Sequence, residues 1–90
     1  MSVTLKGQLI CTTEAEAARV RALLPEHIRL TRAEPGCLRF DVTPAGLLTW
    51  QVDEEFADRA AFDAHQTRTR ASEWFRQTDG IRRAFTLTGG

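Results

Sequence analysis

Hydrophobic and polar residues alternate along four segments of the chain, as they do in a strand with one buried face. These segments are residues 3–11, 37–43, 47–56 and 83–88. The third segment is expected to form the longest strand. The turn residues Pro44 and Gly46 before it favour a hairpin between the second and third strands. Gly7 lies inside the first segment, which indicates either a bulge or a group pressed close to the backbone.

The same alternation assigns each side chain to one of the two faces of the sheet. In the second segment, Leu38, Phe40 and Val42 share a face. In the third segment, one face carries Leu48, Trp50, Val52, Glu54 and Phe56. The opposite face of the predicted sheet is polar and includes Lys6, Gln8, Arg39, Asp41, Gln51, Asp53 and Glu55.

Between the first two strand segments, apolar residues recur at spacings of three and four, which predicts a helix. Its apolar stripe is formed by Ala17, Val20, Leu24 and Ile28. Thr13 and Glu16 have the spacing of a capping box, which marks the start of the helix. Pro25 predicts a kink or a break near Leu24, because proline removes one helical hydrogen bond. Pro35 followed by Gly36 predicts the end of the segment.

A second helix is predicted after the third strand, with Asp58 as its N-terminal cap. Phe62, His65 and Thr69 fall on one stripe of this helix. A further helical turn or two, carrying Trp74 and Phe75 and ending near Gly80, leads to the last strand.

The element order is therefore strand, helix, strand, strand, helix, strand. This order predicts an α+β, ferredoxin-like βαββαβ fold, in which an antiparallel sheet carries both helices on one face. Right-handed crossovers place the first strand in the middle of the sheet. A length of 90 residues predicts a single domain over residues 1–90. Cys11 and Cys37 fall toward opposite ends of this sheet, so we expect no disulfide between them.

The composition excludes some partners. Twelve basic and twelve acidic residues give a net charge of zero, which argues against binding to nucleic acid or to an anionic membrane. No run approaches the roughly 20 apolar residues of a membrane span. We also find no signal peptide and no cysteine or histidine cluster with the spacing of a metal site. A cytoplasmic protein without a bound metal is the expectation.

Strand parity directs Glu54 toward the helices, together with Trp50 and Phe56. Burial there would raise the pKa of this carboxyl, as a group that transfers protons near neutral pH requires. The alternative is a structural ion pair with an arginine, for which the chain offers Arg59, Arg68 and Arg70.

The two histidines have the same two interpretations. His65, on the inner stripe of the second helix, is a candidate acid or base because the ordinary pKa of histidine lies near neutrality. A satisfied structural histidine is the alternative. For His27, on the first helix, a surface or packing role is expected.

Aromatic side chains are numerous for a small domain. Several flat rings between a sheet and its helices form a core, and they also suit a planar aromatic ligand. The candidate substrate-binding residues are Phe40, Trp50, Phe56, Phe62 and Trp74.

The chain resembles the antibiotic biosynthesis monooxygenase superfamily of small dimeric α+β barrel proteins. The resemblance rests on the segment TRAEPGCLRF (residues 31–40), on VDEEF (52–56) followed by Asp58, and on AFDAH (61–65). These segments occur in the order found in the family, and the order of helices and strands matches as well, so the resemblance spans nearly the whole chain.

This resemblance implies a homodimer whose sheets pack against each other, with a pocket between sheet and helices in each subunit. It further implies oxidation of a small aromatic, phenolic or quinol substrate by dioxygen, with no metal or flavin cofactor. Glu54 or His65 would then act as the catalytic base. Two alternatives remain at this stage, namely a non-catalytic dimeric small-molecule-binding or scaffold protein of the same fold, and a haem-binding relative. The haem ligands of such relatives have no clear counterpart here.

Overall fold

The computed structural model of the protein describes residues 1–89. Its strands are β1 (Val3–Ile10), β2 (Cys37–Pro44), β3 (Thr49–Phe56) and β4 (Arg82–Gly89), and its helices are α1 (Glu14–Arg32), α2 (Arg59–Arg70) and α3 (Glu73–Thr78). The predicted element order is confirmed, with α3 as the short helical continuation that follows α2.

The four strands form one antiparallel sheet in the order β2-β3-β1-β4. β1 is therefore central, as the right-handed crossovers predict, and β2 and β4 are the edges. Over residues 1–89 each edge strand has a strand neighbour on one side only, so the sheet is open. The fold is the ferredoxin-like α+β arrangement expected from the sequence.

Gly7 marks a close contact between strands and no bulge. The pairing of β1 with β3 and with β4 continues without a shift through this residue. A Cβ atom at Gly7 would lie 2.0 Å from the carbonyl oxygen of Ala84 on β4. Only a residue without a side chain lets the two strands approach this closely.

The helix α1 runs unbroken through Pro25, so of the predicted kink or break near Leu24, the break does not occur. Residues on both sides of the proline are buried against the rest of the fold, including Val20 before it and His27 after it. Burying several such side chains outweighs a proline penalty of about 3 kcal/mol. The buried stripe is Ala17, Val20, Leu24, His27 and Thr31, and Ile28 is only half-buried.

The capping box at the start of α1 is formed in part. The Thr13 hydroxyl accepts a hydrogen bond from the amide of Glu16 (3.1 Å), as predicted. The Glu16 carboxylate, however, accepts from the backbone N–H of Thr12 (2.7 Å) one residue earlier. Asp58 caps α2 as predicted, by accepting from the amide of Ala61 (2.8 Å).

Two strand predictions need correction. The register of β2 against β3 shifts between Cys37 and Arg39. This irregularity leaves Leu38 59% exposed, although alternation assigned it to the buried face with Phe40. The third strand is also no longer than the others: it begins at Thr49, and Leu47 lies in the preceding loop, 90% exposed.

The core fills the space between the helices and the sheet. Its larger part contains Leu9, Val20, Trp50 and Val52, and a smaller part contains Val3, Phe56 and Phe62. Cys11 and Cys37 are free thiols, as expected. None of the three helices described has both the length and the apolar character needed to cross a bilayer.

Candidate functional site

A cavity of about 210 Å³ lies between the sheet and the helices, and every strand and helix contributes to its lining. Its apolar lining comprises Leu5, Leu9, Phe40, Val42, Val52, Trp74, Phe75 and Phe85. Its polar lining comprises His27, Glu54, His65, Gln66, Thr69, Arg70 and Arg83. A mostly apolar hollow with a few converging polar groups is the usual form of a small-molecule site.

His65 stands at the centre of the polar groups. The Asp58 cap starts α2 so that Phe62 and His65, three residues apart, face the sheet. The imidazole is 3% exposed, and its ring centre lies 4.8 Å from that of Phe56 and 5.7 Å from that of Phe40. These rings fix the orientation of the imidazole.

Glu34 binds one nitrogen of this imidazole. Its Oε1 lies 2.8 Å from Nδ1 of His65, and its other oxygen accepts a hydrogen bond from Nε of Arg68. Arg68 also donates to the hydroxyl of Thr31 (2.9 Å). Glu34, in the turn after α1, is thus tied to α2 by two side chains.

The other nitrogen of His65 faces the cavity side of the site. Nε2 lies 3.8 Å from Oε1 of Glu54 and 3.4 Å from the hydroxyl of Thr69. Burial lowers the pKa of His65 below its ordinary value, although the hydrogen bond to Glu34 opposes this shift. The imidazole is therefore neutral near pH 7. A neutral ring that donates from Nδ1 to Glu34 presents an unprotonated Nε2.

Glu54 is buried as strand parity predicts, at 7% exposure. Burial, reinforced by the nearby charge of Glu34, raises the pKa of Glu54 to about 8. Two of the arginines considered as partners bind elsewhere, since Arg59 pairs with Asp63 and Arg68 pairs with Glu34. Glu54 is thus mainly protonated at neutral pH and can donate a hydrogen bond.

His27 also belongs to this site. Its ring stacks in parallel on Trp74, with 4.8 Å between ring centres, and lies 6.0 Å from the ring centre of His65. Burial lowers the pKa of His27 to about 3, and the nearby positive charges of Arg68 and Arg83, with that of His65 when it is protonated, act in the same direction. The ring is therefore neutral over the whole physiological range.

The structure separates the five aromatic residues expected to bind substrate. Phe40 and Trp74 line the cavity. Trp50 lies in the larger core cluster, and Phe56 and Phe62 lie in the smaller one, outside the cavity lining. Phe56 still influences the site, because its ring packs against that of His65. The expectation that all five rings surround a substrate therefore does not match their positions.

Sequence reasoning missed Glu34 and His27 as members of the site, and it considered Arg68 only as a partner of Glu54, whereas Arg68 pairs with Glu34. A signal for His27 was present, since it follows Leu24 by three residues on the buried stripe of α1. Glu34 lies in a turn, where no periodicity predicts the direction of a side chain. Its contact with His65 joins residues 31 positions apart in the chain.

Together these groups can move a proton. His65 can accept one at Nε2, Glu34 can stabilise the imidazolium that results, and Glu54 can donate a hydrogen bond to a developing anion. Within residues 1–89, no group of three or more His, Cys, Asp or Glu side chains has an arrangement that could hold a metal ion.

Comparison of the sequence with known protein families finds a match over most of the chain. A family model described as "Antibiotic biosynthesis monooxygenase" matches residues 8–84 of the chain. The match includes Glu34, Glu54 and His65. No curated protein matches the chain.

Solved structures share the fold over nearly their whole length. SnoaB, a cofactor-independent oxygenase from Streptomyces nogalater, superposes with a TM-score of 0.79 at 11% identity, covering 99% of this chain and 92% of SnoaB. Rv0793 from Mycobacterium tuberculosis superposes with a TM-score of 0.75 at 23% identity, covering 100% of this chain and 95% of Rv0793. At these identities the likeness concerns the fold alone.

Proposed function

The chain belongs to the antibiotic biosynthesis monooxygenase family, and on this basis we propose that it is a monooxygenase that oxidises a small phenol or quinol with dioxygen. One observation carries the proposal: a neutral, buried His65, oriented by Glu34 at 2.8 Å, lines a cavity next to the carboxyl of Glu54. Such an arrangement suits the removal of a proton from a weakly acidic hydroxyl.

The proposed reaction begins with the substrate hydroxyl at Nε2 of His65. His65 takes the proton, and the resulting phenolate transfers one electron to dioxygen, which gives a phenoxyl radical and superoxide. The two radicals combine to form a carbon–oxygen bond at a ring carbon that carries hydrogen. The imidazolium returns its proton to the terminal oxygen. Cleavage of the O–O bond, with loss of the ring C–H proton, then yields a quinone and water.

This sequence is balanced, because one oxygen atom enters the product and the other leaves as water. The electrons come from the substrate, so the scheme calls for no external reductant and no cofactor. The description of SnoaB as a cofactor-independent oxygenase supports this part of the proposal. Glu54, protonated near pH 7, would donate a hydrogen bond to the phenolate or the peroxide.

The cavity supports an aromatic substrate of one or two rings. An apolar protein cavity of about 150 Å³ holds a benzene molecule, and the cavity here measures about 210 Å³. Phe40, Trp74 and Phe75 provide ring faces and edges for a flat ligand. Offset or edge-on packing against these rings favours aromatic over aliphatic substrates.

Oxygen consumption tests this function. The purified protein, treated with a chelator and checked for metals and chromophores, is mixed with a panel of phenols and hydroquinones in an oxygen electrode. We expect uptake that depends on the protein and falls about 10²–10⁴-fold in His65→Ala. Asp63→Asn, on the exposed side of the same helix, is the matched control and should retain full activity.

A null result would favour the non-catalytic binding protein. No uptake with any substrate, or equal rates in the wild type and His65→Ala, would contradict the proposed function. The geometry does not favour that alternative, which calls for an arginine-paired Glu54 and no open cavity beside His65. Glu54 lies instead 3.8 Å from His65 at the cavity wall.

We further propose that the protein is a homodimer that associates through the outer face of its sheet. Arg39 on this face pairs with Asp53 and Glu55 of the adjacent strand, at 2.7 and 2.8 Å. These charges could exchange partners across a two-fold axis, since like surfaces meet in such a dimer. Light scattering at several protein concentrations should give twice the monomer mass. A monomer at every concentration would contradict the proposal, and Arg39→Glu should weaken association.

The proposed location is the cytoplasm. Cys11 and Cys37 are free thiols, a state that fits a reducing compartment.

A further inference from the structure

The cavity has a buried end and an open end. His65 and Glu54, at the buried end, are almost fully enclosed. Among the residues that line the cavity, only Arg70 and Phe85 are exposed. Arg70 is the last residue of α2, and Phe85 lies on the edge strand β4. The open end therefore lies between the C-terminus of α2 and β4.

Arg70 brings an unpaired positive charge to this open end. The guanidinium of arginine is protonated throughout the physiological pH range. Within residues 1–89, seven of the eleven arginines pair with a carboxylate. The two arginines that line the cavity, Arg70 and Arg83, are among the four that do not. No ion pair therefore holds the guanidinium of Arg70, and its flexible side chain can turn toward a ligand at the open end.

Arg83 adds a second positive charge to the cavity wall. Its guanidinium donates to the carbonyl oxygens of Thr78 (2.8 Å) and Ile81 (3.0 Å) and to the hydroxyl of Thr78 (2.9 Å). These acceptors are neutral, so they orient the guanidinium and leave its charge in place. Burial lowers the pKa of Arg83, although the charge of Asp79 opposes this shift. A half-buried cation without an ionic partner favours an anion nearby.

The other lining residues do not supply that anion. Glu54 is the one carboxyl group in the lining, and its raised pKa of about 8 keeps it mainly protonated near pH 7. The nearby carboxylate of Glu34 is already paired with Arg68. His27 and His65 are neutral, because burial lowers the pKa of both. Near pH 7 the lining therefore has two positive charges and little negative charge.

We propose that the cavity binds aromatic acids, with the carboxylate of the substrate held by Arg70 at the open end and the hydroxyl directed to His65 at the buried end. The inference rests on the proposed function and deepens it, because it names the substrate class. The preferred substrates are hydroxyarenes that carry a carboxylate, such as hydroxybenzoates. Arg83 attracts the anion through its charge while its guanidinium stays bound to Thr78.

The layout of the cavity suits such a ligand. Trp74 and Phe75 in the wall offer apolar contacts to the aromatic ring. The carboxylate, which is costly to remove from water, stays at the open end, where the planar guanidinium can bind both of its oxygens. Arg70 follows His65 by five residues, a rise of about 7.5 Å along α2. This separation favours a hydroxyl and a carboxylate at opposite ends of a ring over neighbouring positions.

Binding without oxygen tests the inference separately from catalysis. The wild-type protein is titrated anaerobically at pH 7 with para-hydroxybenzoate and with para-hydroxybenzamide, which has nearly the same shape but no charge. We expect NMR titrations to show about tenfold tighter binding of the benzoate, the effect of a charge-assisted contact. Because Arg70 is exposed, about 1 M salt should reduce this preference to about twofold. Ortho-hydroxybenzoate has the same charge but cannot reach both ends, so it should bind more weakly than the para isomer.

Two substitutions of Arg70 locate the preference. Arg70→Gln removes the charge and keeps a polar side chain, so the preference for the benzoate should fall to about twofold while the benzamide binds as before. Arg70→Lys keeps the charge without the planar guanidinium and should retain part of the preference. Arg82→Gln is the matched control, because Arg82 is another exposed arginine that lies outside the cavity lining. This control should bind both ligands as the wild type does.

Four results would overturn the inference. They are a wild type that binds the benzoate and the benzamide equally, a preference that persists in Arg70→Gln, an equal loss of preference in Arg82→Gln, and an ortho isomer that binds as tightly as the para isomer. A measurement on the wild type covers the case in which Arg70→Gln does not fold. The Nε–H resonance of Arg70 should shift with para-hydroxybenzoate and stay in place with the benzamide. A resonance that neither ligand moves contradicts the contact.

Failure of the function and failure of the inference give different results. A preference for the benzoate that depends on Arg70, without oxygen consumption, would remove the monooxygenase proposal and leave the aromatic-acid site in place. Oxygen consumption with equal kcat/KM for the benzoate and the benzamide would leave the monooxygenase proposal and remove the role of Arg70.

Discussion

Oε1 of Glu34 lies 2.8 Å from Nδ1 of His65, and this contact joins the turn after α1 to the middle of α2. A carboxylate in this position selects the tautomer that leaves Nε2 free to accept a proton. It also stabilises the imidazolium once the proton has moved. Glu34 is therefore a positioning residue for the proposed base.

The first prediction concerns this contact. Glu34→Gln should lower kcat about a hundredfold with little change in KM, because an amide can present the wrong group to Nδ1 and carries no charge. The pH–rate profile should shift to lower pH, since the imidazolium loses its anionic neighbour. Glu26→Gln, an exposed glutamate of α1, is the control. A uniform loss of folded protein, with unchanged kcat per folded molecule, would reduce Glu34 to a structural role.

The second prediction concerns the stability contributed by Glu54. Its pKa is raised to about 8 in the folded state from an ordinary value of 4.5. The unfolded chain therefore binds fewer protons between these values, and stability is lost as pH rises from about 4.5 to 8. The full effect is on the order of 5 kcal/mol.

Glu54→Gln should remove this loss of stability with rising pH. Denaturant unfolding of the wild type and the variant, followed from pH 5 to 9, gives the difference in the free energy of unfolding at each pH. The variant should gain relative to the wild type as pH rises. A constant difference across this range would mean that Glu54 ionises freely in the folded protein.

The third prediction concerns the stability contributed by His27, which changes with pH in the direction opposite to that of Glu54. Its pKa falls to about 3 from an ordinary value of 6.5, so the unfolded chain binds more protons in this interval. Stability is present above about pH 6.5 and is lost as pH falls toward 3. His27→Phe should remove a loss on the order of 5 kcal/mol over the whole interval. The part of this loss between pH 7 and 4 is seen as a smaller drop in the unfolding free energy of the variant. An unchanged drop would show that His27 already binds a proton in the folded state.

The fourth prediction concerns the contact between β1 and β4. In Gly7→Ala the new methyl group would meet the carbonyl of Ala84 at 2.0 Å, so the strands must separate. We expect a loss of about 2 kcal/mol or more in unfolding free energy. Gly80→Ala is the control, because nothing lies within 4 Å of its added Cβ. Similar melting temperatures for the two variants would contradict this account of Gly7.

Local patterns account for the parts of the site that lie on regular elements. Alternation in β3 directs Glu54 inward, and the three-residue step from Phe62 places His65 on the inner side of α2; both are buried. The same reasoning failed at Leu38, because one shift in register reverses the face of a residue. It also failed at Pro25, where packing of α1 against the core outweighs the local preference for a break.

The sequence by itself determined the order of the elements, the antiparallel sheet with β1 at its centre and the inward direction of Glu54 and His65. Periodicity and turn chemistry are local properties, and they can be read from neighbouring residues. Only the tertiary structure decided that Glu34 binds His65, that His27 stacks on Trp74 and that a cavity remains beside them. These relationships join residues 31 and 47 positions apart, and they depend on how side chains fill the space between three helices and a sheet, which no local pattern specifies.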